Sequence, residues 1–229
     1  MKQVQINTLE DFHSKVQSMS LSHPIYRGVS DSRYSLLSRV GRSYQLVDNF
    51  KDKISISMNE NIEKSALNEF KQGAVTYIYS LPINDWEWLS LAQHHGLPTR
   101  FMDWTTNPLV ALYFACNDNA STQAAIYVFS NKYQFFEPDL AKSPFDSSKI
   151  HRFIPMHSTP RIVAQSGLFL VISNPKQELI RDGLEKWIIN KEINLRLAQM
   201  AKNYGIHDAS IFPGLDGLAK KTARKWAMF

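Results

Sequence analysis

The sequence predicts an α+β fold in one domain spanning residues 1–229. Two observations predict it. Several stretches place apolar residues every three or four positions, the period of a helix with one buried face. Between them lie short β-branched and aromatic runs that read as strands. The two kinds alternate irregularly, which suits an α+β arrangement better than a doubly wound parallel sheet. A chain of 229 residues with 44% hydrophobic and 21% charged residues can build one sizeable core.

In chain order, Thr8–Met19 reads as a helix. Thr8 is its N-cap, Asp11 stands three positions on, and Leu9, Phe12 and Val16 form the apolar stripe. HPIYRGVS, residues 23–30, reads as a strand that ends in a tight turn at Gly28, with Arg27 near its end. SLLSRVGRSY reads as a loop or the start of a short helix. Asn59–Lys71 is helical, with Ile62, Ala66, Leu67 and Phe70 on one side. After the break at Leu81-Pro82, NDWEWLSLAQHH forms a helix capped by Asn84, with acids in its first turn and histidines at its end. LPTRFMDWTTN is extended. Asn107 then caps an apolar helix, PLVALYFA, with Pro108 in its first turn. AAIYVFS, residues 124–130, is the clearest strand. A connector rich in Pro, Asp and Ser follows over 131–149. A loop, the segment Arg161–Gln165 and the strand GLFLVIS, residues 167–173, come next. EKWIINKEINLRLAQMAKNYGI reads as a strand and then a helix, and a turn with a final helix closes the chain.

Leu91–Asn117 is the stretch around which the rest is organised. His, Arg, Asp, Trp, Thr and Asn crowd between two apolar helices. Buried polar groups are unfavourable unless each is paired, so a chain that needed only a core would place Leu and Val there. Asp103 is expected to pair with an arginine. Arg27 and Arg100 are each open to two readings, a ligand contact or a buried bridge that fixes the loop. Trp104 and Tyr113 suit a core as well as a site.

HHGLPTRFMDWTTNPLVALYFA resembles the signature of the FRG domain, a bacterial family named for an aromatic-Arg-Gly motif. That motif stands here as Tyr26-Arg27-Gly28. The family's leucine-rich stretch with an arginine soon after it is matched by YSLLSRVGR. The resemblance implies a motif-bearing core over about residues 24–218, with a pocket built by Arg27, His95, Thr99, Arg100, Asp103, Trp104 and Thr105.

The order of the pieces is also similar to the ADP-ribosyltransferase fold, whose split antiparallel sheet binds NAD. That likeness implies an antiparallel or mixed split sheet with flanking helices. An early strand supplies an arginine for the nucleotide, here Arg27. A second segment lines the nicotinamide pocket with a hydroxyl, here Thr105. A late strand holds the ribose hydroxyls, here through Gln165 beside Ser166-Gly167. The chemistry suits these residues. Arginine offers a planar fork to phosphate oxygens, Tyr26 or Trp104 could stack on a ring, and Gly28 lets the backbone come close. The late residue of that fold is commonly Glu. Gln165 can orient a ribose but cannot act as a base, which favours NAD cleavage or transfer to an acceptor that is already nucleophilic. Glu192 is the other carboxylate to consider.

Other chemistries leave little trace. The sequence has no Walker A loop, GxGxxG, GxSxG, HExxH, CxxC or EF-hand loop, and only 9 glycines. His94 and His95 are adjacent and so diverge on a helix, and no metal is expected. The lone Cys116 lies in an apolar helix and reads as core. The acids open to a nuclease, Asp31, Asp103 and Glu192, are dispersed. No apolar run is long enough for a membrane helix, and the first residues lack the apolar core of a leader, so a cytoplasmic protein is expected. A net charge of +5 permits contact with nucleic acid, and the tail AKKTARKWAMF gathers basic residues. The expected function is that of a nucleotide-using enzyme: an ADP-ribosyltransferase or NAD glycohydrolase with NAD as substrate and a nucleic-acid or protein acceptor. Small bacterial domains with such chemistry often act as toxins or anti-phage effectors. The alternative expectation is a non-catalytic module that binds a nucleotide or nucleic acid.

Overall fold

A computed structural model describes residues 1–19, 21–49, 60–117, 122–131, 134–156 and 160–228. The chain begins with β1 (Lys2–Ile6), α1 (Leu9–Ser18), β2 (Ile25–Val29), α2 (Arg39–Asn49), α3 (Glu60–Ala74) and α4 (Asp85–His94). The motif-bearing stretch supplies β3 (Phe101–Thr105) and α5 (Pro108–Cys116). Then come β4 (Ala124–Phe129), β5 (His151–Phe153), α6 (Pro160–Ala164), β6 (Gly167–Val171) and β7 (Leu184–Ile189). The chain ends with α7 (Asn194–Asn203), α8 (Asp208–Ile211) and α9 (Leu215–Lys225). Asn59, the expected first residue of α3, lies outside the described residues.

The helix starts follow local chemistry. Thr8 and Asp11 form a reciprocal capping box on α1. The side chain of Asn84 accepts from the Glu87 N–H, and that of Asn107 from the Leu109 N–H. SLLSRVGRSY resolves into loop followed by α2, a full helix rather than a short one.

The strands form one seven-stranded mixed sheet in the order β1-β7-β4-β2-β3-β6-β5. β1 runs parallel to β7, and the other neighbours are antiparallel. Two of these strands have no counterpart in the sequence reading. β1 is polar and mostly exposed, and β5 has only three residues.

One face of the sheet is covered in two parts. α1, α5 and α7 pack over Tyr26, Ile126, Val128 and Trp187. α3 and α4 pack over Phe101, Phe153, Phe169 and Val171. The opposite face, with Ile25, Met102, Trp104, Tyr127 and Phe129, is closed by loop residues such as Leu36, Phe135 and Leu179. The lone thiol of Cys116 lies in the first of these clusters, where burial pushes its pKa up to about 12, so it is a hydrophobe in practice.

The seam between the two parts of the covered face is also a break in the sheet. β2 and β4 share five residue pairs, and β3 and β6 share five. β2 and β3 share one, Tyr26 with Thr105. Beyond that pair the strands part, with α5 over β2 on one side and α4 over β3 on the other.

Candidate functional site

The cleft occupies this break. Arg27, Asp103, Thr105 and Gln165 all line it, with His94 at the end of α4 and Phe114 on α5. Its volume is about 290 Å³, near the lower end of small-molecule sites.

Gly28 sets one wall. A Cβ at this position would lie 1.9 Å from the Ala111 carbonyl oxygen of α5. Only a residue without one lets the helix backbone rest on the strand. The glycine of the aromatic-Arg-Gly motif is therefore a packing requirement.

Arg27 fills the gap where the ladder stops. Its Nη1 donates to the Asp103 carbonyl at 2.5 Å, so a side chain takes an acceptor that a continued ladder would give to backbone. The same nitrogen lies 3.7 Å from Asp103 Oδ2. The Arg27 side chain is 18% exposed and that of Asp103 62%. Desolvation lowers the Arg27 pKa and Asp103 partly restores it, but an arginine stays charged at any physiological pH. Asp103 is steadied by Gln93, whose Nε2 donates to Oδ2 at 3.1 Å. Thr99 in turn donates to Gln93 Oε1 at 2.9 Å. The chain Thr99–Gln93–Asp103–Arg27 thus ties the end of α4 to both strands of the break. Thr99 is buried beneath the cleft and acts through Gln93.

Four arginines line the cleft: Arg27, Arg39, Arg42 and Arg161. Asp103 is the one carboxylate among the described lining residues. Arg39 and Arg42 stand three positions apart at the start of α2, where like charges repel and the helix dipole disfavours cations. Burial and Arg39 both lower the Arg42 pKa. Arg161 stacks on Phe212 at 4.8 Å. An anion in the cleft would relieve this crowding of positive charge.

Thr105 and Gln165 meet here, and most of their hydrogen-bonding capacity is already engaged. The Thr105 hydroxyl donates to the Gln165 carbonyl at 2.7 Å and accepts from the Asn107 N–H at 2.9 Å. Gln165 Nε2 donates to the Ile211 carbonyl at 3.2 Å. Ser166, between α6 and β6, has a φ of 46°, a left-handed conformation that strains a residue other than glycine. The turn is held where it is by the Thr105 contact.

Of the remaining expected residues, Tyr26 and Trp104 border the cleft, while Arg100, His95 and Glu192 are not in its lining. Arg100 does not reach the cleft. It is buried, with Nε and Nη2 on the two carboxylate oxygens of Glu63 at 3.0 and 3.1 Å, and Phe145 beneath the guanidinium at 4.6 Å. Tyr44 donates to the same carboxylate at 2.7 Å. This knot fastens α2 and α3 to the start of β3. The Tyr26 ring lies in the core, edge-on to Trp187 at 5.9 Å, and desolvation raises its pKa to about 12. Trp104 borders the cleft but packs on Phe129 at 5.3 Å, so neither ring is presented for stacking. His95 is the exposed C-cap of α4, and His94 lines the cleft in its place. Burial, Arg161 and His95 lower the His94 pKa to about 4, so its imidazole is neutral at pH 7. Glu192 lies in a short turn after β7 that Asn190 caps by accepting from the Glu192 N–H, and it is not among the cleft residues.

Sequence reasoning missed Gln93 and Phe114. Gln93 precedes the two histidines with nothing to distinguish it from a solvated helix residue. Phe114 is 38% exposed in a helix so apolar that no periodicity separates its faces. Arg39 and Arg42 carried a signal, because both stand in YSLLSRVGR.

Fold and site together define an α+β protein with an arginine-lined cleft at a break in its sheet. Residues 22–124 match the model of the FRG domain. The matched stretch contains both strands of the break and stops before α6 and β6. No curated protein and no solved structure matches the chain. Among the described residues, no helix is long and apolar enough to cross a membrane.

Proposed function

We propose that the cleft binds a nucleotide and that the protein is an NAD-using enzyme, an ADP-ribosyltransferase or NAD glycohydrolase. One observation carries this reading. Arg27 from β2, Thr105 from the end of β3 and Gln165 from the turn into β6 line a single cleft where the sheet opens. The arginines would take the diphosphate. Asp103, the carboxylate in the lining, would hold a ribose hydroxyl and stabilise the cationic sugar as nicotinamide departs. Neutral His94 and the free oxygen of the Gln165 amide would orient the ligand.

The test is direct. Purified protein is mixed with NAD, with and without DNA, RNA and cell lysate, and free nicotinamide is followed. The reading expects release that Arg27→Ala abolishes while the variant stays folded. In a bacterial host it also expects growth arrest on expression, relieved by the same substitution, as for a toxin or anti-phage effector. No release in any mixture, together with no thermal shift by NAD, would end it.

A second reading has an observation of its own. The Thr105 hydroxyl and the Gln165 amide nitrogen are bonded to the protein, which leaves the arginines as the principal free groups. A non-catalytic module that binds a nucleotide or nucleic acid needs no more than that. It would show ligand-dependent melting without turnover.

A further inference from the structure

A second cavity adjoins the cleft and shares Arg27, Gly28, Arg42 and Phe114 with it. The two make one trough with Arg27 and Arg42 at its waist. Tyr34 stands at the far end, 57% exposed. Its backbone is fixed, because its carbonyl accepts from the Tyr127 hydroxyl at 2.8 Å. Phe114 lies on the shared wall. The nearby Arg33 is not a free charge, because Asp31 holds it through both carboxylate oxygens. Arg39 and Arg42 form no ion pair among the described residues, although Arg42 donates to the Leu37 carbonyl at 3.0 Å.

Cations spaced along a trough, with accessible aromatic rings beside them, suit a particular class of partner. Phosphates take the guanidinium groups, and an exposed ring offers a face to an unpaired base. A duplex keeps its bases stacked inside and has no such face to give. We propose that the second cavity and the waist arginines hold a segment of single-stranded nucleic acid, with a base against Tyr34 and phosphates on Arg42 and Arg27. This goes beyond the nucleotide reading and does not require NAD.

The test uses the full chain, with no NAD present, and fluorescein-labelled deoxythymidine and uridine oligomers of about 12 nucleotides, a length that covers one binding site. Anisotropy is read from about 50 to 200 mM salt, where release of counterions weakens a phosphate-bound complex. Binding should weaken steeply with salt. Tyr34→Ala should weaken it about 10-fold, as expected for the loss of one stacked base. Arg42→Gln should reduce the salt slope by about one phosphate. Lys202→Gln on α7, away from both cavities, should leave it unchanged. Three results would overturn the proposal: no binding of either oligomer at the lowest salt, Tyr34→Ala with wild-type affinity, or equal competition by a polyglutamate peptide. The last would assign the trough to an acidic protein instead. Because NAD is absent, failure of nicotinamide release leaves this result untouched.

Discussion

Arg27 and Arg100 are each open to the same two readings in the sequence and have opposite fates. Arg100 is shut into the interior: a carboxylate meets it in two places, a ring lies beneath it and a tyrosine completes the acceptor, while its Nη1 is buried without a partner. Arg27 holds one carbonyl and a distant carboxylate that is itself open to solvent. The first arrangement satisfies a charge within the fold. The second leaves donors to spare at the edge of a cleft. An arginine that organises a structure and one that awaits a ligand are told apart by where the spare donors lie: Nη1 of Arg100 is sealed in the interior, and those of Arg27 border a cleft.

Arg100→Ala would break the first arrangement most severely. It strands Glu63 in the interior, and loss of one partner of a buried pair typically costs about 3–5 kcal/mol. Denaturant unfolding should show it, and Glu63→Gln should soften it by removing the orphaned charge. Gly28→Ala comes next. The new methyl must push α5 off β2, an overpacking expected to destabilise by about 1–3 kcal/mol, and the same measurement reads it. Arg27→Ala should cost only about 1 kcal/mol of stability, since one hydrogen bond to a carbonyl near solvent is lost. Ligand binding or turnover should fall far more steeply. If its melting temperature drops as far as that of Arg100→Ala, the contrast between the two arginines fails.

The smallest effect is set by pH. The folded His94 pKa, about 4, lies below its ordinary value of 6.5. The unfolded chain therefore binds more protons between those values, and this contribution is fully present above pH 6.5 and lost as pH falls toward 4. His94→Gln should flatten the stability profile in that window and leave it unchanged above. An NMR titration that finds His94 protonated at pH 6 would remove the neutral ring from the cleft.

Much of the scaffold was legible because its signals are local. Thr8, Asn84 and Asn107 each mark a helix start within three residues. The apolar run AAIYVFS and the mixed α+β class needed nothing distant either. Strands β1 and β5 were invisible for a physical reason. One is a polar edge whose strand character comes from β7, and the other is too short for any periodicity. At the site, the convergence of Arg27, Thr105 and Gln165 followed from the order of the pieces. The fate of Arg100 did not, because its partner Glu63 stands 37 positions earlier on another helix. The choice between His94 and His95 turned on one residue of helical phase at a C-terminus, where that phase is least constrained.

Gly28 carries a last consequence. At this point the cleft wall is helix backbone resting on strand backbone, with no side chain as spacer. Where side chains line a pocket, a point mutation can trim or enlarge it. Here β2 and α5 rest main chain on main chain, so at Gly28 the wall has no side chain to trim, and a larger residue can only force the two elements apart. Selectivity is left to the side chains that do project, His94, Gln93 and Arg161 on one bank and Phe114 on the other, and variants that change what the cleft accepts should map there.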